Sequence, residues 1–142
     1  MRKFRFTMES ALRLREHQEQ QALEQLAGAI NDQTAAQQRI DRTVKQVTEA
    51  ISRSGQDVHS KLALSAFLCR MEEISSQQQF ELAQAQDAVV AATDQARHAQ
   101  AARKGIEKVK ERQLERWQIE ASREEDRILN EAAIVGRKGL VV

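Results

Sequence analysis

The chain has 142 residues, no proline, five glycines and only 4% aromatic residues, so nothing in it forces a helix to stop and little can fill a compact core. Charged residues make up 30% but balance to a net charge of +1, which gives no reason to expect bulk binding of a polyanion. The hydrophobic share of 41% draws heavily on alanine, and strand formers never alternate over a useful length, so a sheet is excluded in favour of an all-α chain with a narrow apolar seam.

The first predicted helix covers about residues 8–52. Along it Leu12, Glu16, Glu19, Leu23, Leu26, Ile30, Gln33, Gln37, Ile40, Val44, Val47 and Ile51 follow a 4-3 spacing without a slip. That spacing is the signature of a left-handed coiled coil. The period is lost at about residues 53–59, where Gly55 sits among Ser and Asp residues that favour a turn. A second helix is predicted over about 60–133, with its own stripe from Leu64 through Leu68, Met71, Ser75, Gln78, Leu82, Ala85, Val89, Ala92, Ala96 and Ala99. The stripe continues less cleanly through Arg103, Ile106, Lys110, Gln113 and Trp117. Residues 134–142 read as a frayed tail with Gly136 as the helix stop.

A short turn between long helices predicts an antiparallel two-helix coiled-coil hairpin whose second helix is the longer. Centring the turn at Gly55 and Gln56 places Gly28, with Ala27 and Ala29, opposite Ala83 and Ala85, where small residues let the backbones approach. The same pairing leaves about residues 106–133 beyond the start of the first helix, so Trp117 and its apolar neighbours Leu114, Ile119, Ile128 and Leu129 have no internal partner. Polar seam residues such as Glu16, Gln33, Ser75 and Gln78 weaken the pair and point to reliance on other proteins.

Catalytic chemistry finds no support. His17, His59 and His98 are far apart, none has a second ligand at metal spacing, and no glycine-rich phosphate loop is present. The reading is of a non-enzyme without cofactor or metal. A lone cysteine, Cys69, fits a reducing compartment, no apolar run approaches the roughly 20 residues that span a bilayer, and Met1–Phe6 lacks a signal peptide's apolar stretch. The expectation is a cytoplasmic protein without membrane insertion. Two candidate surfaces remain. One is basic, with Arg103, Lys104, Lys108, Lys110, Arg112 and Arg116 on the second helix and Arg2, Lys3, Arg5, Arg13 and Arg15 at the same end. A solvated charged face accounts for it about as well as a docking site does, and nucleic acid is disfavoured because no aromatics interleave the cations. The other is apolar, where Phe67, Met71, Ile74 and Gln78 follow an i, i+4, i+7, i+11 spacing, alternatively read as a thicker seam.

The opening Phe4-Arg5-Phe6-Thr7-Met8-Glu9-Ser10-Ala11-Leu12-Arg13-Leu14-Arg15-Glu16, followed by Ala22, Leu26 and Ala27, resembles the start of the flagellar type III export protein family FliJ. Lys110-Glu111-Arg112-Gln113, Glu120, Glu124-Glu125 and Leu129-Asn130-Glu131-Ala132-Ala133 resemble its end, with Asn130 where the family carries Asp. The injectisome counterpart has a similar build, and a coiled-coil scaffold without an ATPase partner is the alternative from another class. The resemblance implies a non-enzymatic stalk that binds the hexameric export ATPase and the cytoplasmic domain of the export gate, handles export chaperones, and associates peripherally with the inner membrane. It also implies site residues. Arg103, Lys104, Lys108, Lys110, Arg112 and Arg116 would face the ATPase, and Phe67, Met71, Ile74 and Gln78, with Gln37, Val44 and Val47 of the first helix, would form the gate-binding patch.

Overall fold

The computed structural model describes residues 3–140; Arg2, and Val141 and Val142 of the expected tail, lie outside the described residues. Two helices account for almost all of it, α1 over Glu9–Arg53 and α2 over Val58–Leu140, paired antiparallel with α2 the longer. Gly136 does not stop α2. Its φ is not positive, no proline follows it, and the helix continues to Leu140.

The turn between the helices is built from short polar side chains. Ser54 N donates to Ile51 O at 3.4 Å, tightening the last turn of α1. Asp57 caps α2, its Oδ2 accepting from Ser60 N at 3.3 Å while its carbonyl accepts the first helical bond from Lys61 N at 3.1 Å. The Ser60 side chain, and then the Ser60 backbone, hold the Asp57 carboxyl below its ordinary value. With the folded value depressed, the cap's charged form stabilises the fold above the ordinary carboxylate range and that contribution is lost as pH falls through the lowered value. Gly55 is confined by space and not by backbone angle. A Cβ there would come within 2.8 Å of Ser60 Oγ and 2.9 Å of Asp57 Oδ1, the two groups that form this cap.

The chain forms two compact units. One comprises residues 19–98, and the other residues 1–18 with residues 99–142. In the first, α2 contributes the stripe read from the sequence: Leu64, Leu68, Met71, Ser75, Gln78, Leu82, Ala85, Val89, Ala92 and Ala96 are all buried or half-buried. The stripe of α1 is different by one residue in every heptad. Glu19, Leu26, Gln33, Ile40 and Val47 are covered as expected, but the positions between them are Ala22, Ala29, Ala36, Thr43 and Ala50. Leu23, Ile30, Val44 and Ile51, placed on the seam by periodicity, are exposed.

The register differs from the expected one as well. A pairing centred on the turn would set Glu73 beside Arg39 and Cys69 beside Thr43. Instead Arg39 Nη1 donates to Glu81 Oε2 at 3.3 Å, and Thr43 Oγ1 donates to Gln78 Oε1 at 2.7 Å. The partners are about two helical turns further along α2. A coiled-coil seam repeats every seven residues, so a slip of about one heptad keeps the same faces together, and hydrophobic pattern cannot tell the registers apart. Counting out from the groove where Val47 and Thr43 meet Met71 and Ser75, Ala36 and Ala29 come level with Leu82 and Val89, and Leu26 comes level with Ala92. Large side chains of one helix thus fall against small ones of the other. Ala22, Ala36, Ala92 and Ala96 are among the most buried residues of the chain. Gly28 takes no part in that close approach; it faces outward, and a Cβ added there meets nothing within 4 Å.

The two glycines therefore respond oppositely to alanine. Gly28→Ala restores a helix former in open space and should stabilise by about 0.5–1 kcal/mol, raising Tm by roughly 2–4 °C. Gly55→Ala should lower Tm by pushing Ser60 and Asp57 apart and loosening the cap. Thermal unfolding followed by circular dichroism measures both, and a destabilised Gly28→Ala would contradict the outward placement.

Candidate protein-binding surfaces

Helical geometry sorts the candidate residues of the first unit into two grooves. On a repeat of about 3.5 residues, Val44 and Arg39 fall on opposite flanks of the α1 seam. On the Val44 side a groove is lined by Thr43, Val44, Val47 and Thr48 of α1 with Leu68, Met71, Glu72 and Ser75 of α2. On the Arg39 side Arg39 faces Glu73, Ile74, Gln77, Gln78 and Glu81. The structure therefore gathers Val44, Val47 and Met71 in one groove and places Ile74 and Gln78 in the other. Phe67 is half-buried one heptad before Ile74 on the same flank. Gln37 is exposed one heptad before Val44 and donates its Nε2 to Asp41 Oδ1 at 3.1 Å. Gln78 is occupied within the seam, where its side-chain oxygen accepts from the buried Thr43 hydroxyl.

In the second unit the basic residues divide by the same logic. Arg103 and Lys110 occupy seam positions. Arg103 Nη1 donates to Glu107 Oε1 at 2.6 Å and its side chain is only 20% exposed. Lys110 Nζ lies 3.2 Å from Glu9 Oε2 and 5.8 Å from the centroid of the Phe6 ring. That pair is partly exposed, so its charge contributes modestly, and the lysine stem serves as well by covering Phe6. Lys104, Lys108, Arg112 and Arg116 are exposed, four residues apart, and form one ridge along the edge of α2. No carboxylate lies within ion-pair distance of these four among the described residues. Glu107, Glu111 and Glu115 run along the next ridge. Each carboxylate stands nearly a third of a turn away from the cation that follows it.

Residues Phe4 and Phe6 precede α1 and complete this unit. Phe6 and Leu12 are buried, Glu9 N donates to Phe6 O at 3.3 Å, and the Phe4 ring lies 6.0 Å from Trp117 at a tilt of 57°. Trp117, expected to be without an internal partner, has one. The uncovered part of α2 begins later than the sequence pairing implied, since every residue from 122 to 139 is exposed, including Ile128, Leu129, Ile134 and Val135. The signal for the Phe4–Trp117 pair was present in composition. The chain has four Phe and one Trp, and two of the five, Phe4 and Phe6, stand two residues apart just before a helix.

Among the described residues no three His, Cys, Asp or Glu side chains converge as a metal site, Cys69 is exposed, and no helix is long and apolar enough to cross a membrane. Residues 4–136 match the family model of the flagellar FliJ protein. No curated protein and no solved structure matches the chain.

Trp117 reports on the aromatic contact directly. Phe4→Ala should shift its fluorescence emission to longer wavelength and cost about 1 kcal/mol or slightly more, from the lost ring pair and burial. Unchanged emission would show that Phe4 does not cover Trp117.

Proposed function

The chain belongs to the FliJ family and is a component of the flagellar protein export apparatus, and from that premise we propose that it acts there as a non-enzymatic helical adaptor, binding the hexameric export ATPase through the ridge of Lys104, Lys108, Arg112 and Arg116. The observation that carries this reading is the division of labour among the cations. Arg103 and Lys110 are held by Glu107 and Glu9, whereas the four ridge residues are presented to solvent without an ion-pair partner. Exposed like charges spaced one turn apart raise the local potential and steer an acidic protein surface into register. A single chain docked on a symmetric ring contacts its subunits unequally, which gives a means to bias how they associate and turn over.

The same α2 helix carries Phe67 and Ile74, aligned one heptad apart on the flank opposite Val44. We assign to this flank the contact with the cytoplasmic domain of the export gate, with Arg39 and Glu81 bordering it. Gln78, tied to Thr43, sets the geometry of the flank and does not itself reach a partner. An adaptor holding the ATPase and the gate together would link nucleotide turnover to protein export from the cytoplasmic face of the inner membrane, and export chaperones would be handed on along the same helices.

Two measurements test these contacts separately. Replacing Lys104, Lys108 and Arg112 by Glu should weaken ATPase binding by at least about tenfold at low ionic strength and flatten its salt dependence, because screened rim charges govern encounter. An affinity titration at low and high salt reads this, and unchanged affinity removes the ridge from the interface. Phe67→Ala combined with Ile74→Ala should reduce gate-domain pull-down and swimming motility while leaving helicity and ATPase binding intact; full motility would sink the gate assignment.

A further inference from the structure

Residues 3–8 are not helical, and two of them rest on α2, Phe4 against Trp117 and Phe6 beneath Lys110. Where this short segment turns into α1 it leaves a cleft of about 410 Å³, lined by Phe4, Arg5, Phe6, Glu9, Arg13 and Lys110. That is toward the small end of the roughly 300–1,000 Å³ found for ligand sites.

The charge of the cleft is unbalanced, and its own residues show why. Glu9 and Arg13 stand four apart on α1, the spacing at which a carboxylate and a cation ordinarily pair. Glu9 is instead engaged by α2, its Oε2 lying 3.2 Å from Lys110 Nζ. Arg5 and Arg13 are exposed, and among the described residues neither has a carboxylate within ion-pair distance. Three cations thus share the lining with a single carboxylate that is already taken. The floor is apolar, but it is not a stacking platform. Phe6 is buried, and the Phe4 ring is engaged by Trp117, so neither is free to receive a nucleobase.

We propose that this cleft binds an acidic segment of another protein, one that carries a carboxylate beside an aliphatic side chain. Arg5 and Arg13 take the carboxylate, because a guanidinium fork matches its two oxygens. The aliphatic neighbour covers the remaining edge of Phe4 and the stem of Lys110. Glu9 in the lining limits the charge that is welcome, since it repels a doubly charged phosphate more than a single carboxylate. The cations are solvent-exposed, so each contact contributes modestly and the binding is weak. None of Lys104, Lys108, Arg112 and Arg116 lines the cleft, so this site stands or falls apart from the ATPase-docking ridge.

Amide chemical-shift titration of the full chain with an acetylated and amidated peptide, Leu-Glu-Glu-Leu, tests this. At about 0.15 M ionic strength, charges more than about 8 Å apart are largely screened, so remote cations contribute little. The peptide should bind saturably with a Kd on the order of 1 mM, shifting residues 5–13 and Lys110. Its neutral twin Leu-Gln-Gln-Leu should bind at least about tenfold more weakly, since the arginines then lose the ionised acceptor. Arg5→Gln with Arg13→Gln should cause the same loss without a change in helicity, both positions being exposed. Lys104→Gln with Lys108→Gln should leave the Kd within about twofold. Absence of saturable binding, equal binding of the neutral twin, or equal loss in the Lys104 and Lys108 variant would each overturn the proposal. So would tighter binding of inorganic phosphate or of a short oligothymidylate.

Discussion

Large-against-small packing across a two-helix seam governs most of what this chain does. Two helices without a third layer can approach closely only if bulky residues of one lie against small residues of the other. α2 brings Leu68, Leu82 and Val89 to the seam, level with Ala50, Ala36 and Ala29 of α1. Where α1 supplies Leu26, α2 supplies Ala92. The register follows from this fit, and so does a part-buried polar link, Thr43 to Gln78, which is satisfied within the seam.

The fit has a cost that the hairpin does not recover internally. Fully burying a Leu, Ile or Val stabilises by about 1.5–3 kcal/mol, and α1 leaves five of them, Leu14, Leu23, Ile30, Val44 and Ile51, roughly half exposed. A chain selected only to fold as an isolated hairpin would gain by making those positions polar.

Charged residues obey the same partition between seam and edge. Arg103 and Lys110 are drawn inward, one tied to Glu107 and the other to Glu9 above the Phe6 ring. Lys104, Lys108, Arg112 and Arg116 differ from them in angular position and not in type, and that position alone leaves their charge available. In this member of the FliJ family, residues that look alike in the chain are thus divided between those held by a carboxylate and those left to solvent.

Much of the architecture could be read from the linear chain. Absence of proline, alanine-rich composition and sustained 4-3 spacing require two helices broken near Gly55, and the α2 stripe was legible because Leu64, Leu68, Met71, Leu82 and Val89 mark one face, with small or polar residues at the positions between. On α1 two stripes compete, and hydrophobicity selects Leu23, Ile30, Val44 and Ile51 over the alanines beside them. Only the facing helix could decide between them, because packing rewards complementary volume and not apolar character alone. The split of the gate-patch residues between two grooves and the sorting of cations into seam and ridge follow from that same choice of phase. Register, too, was beyond the pattern, since a slip of about one heptad leaves every periodic signal unchanged. Periodicity is a property of each helix separately; which of its faces is used, and against what, is a property of the pair.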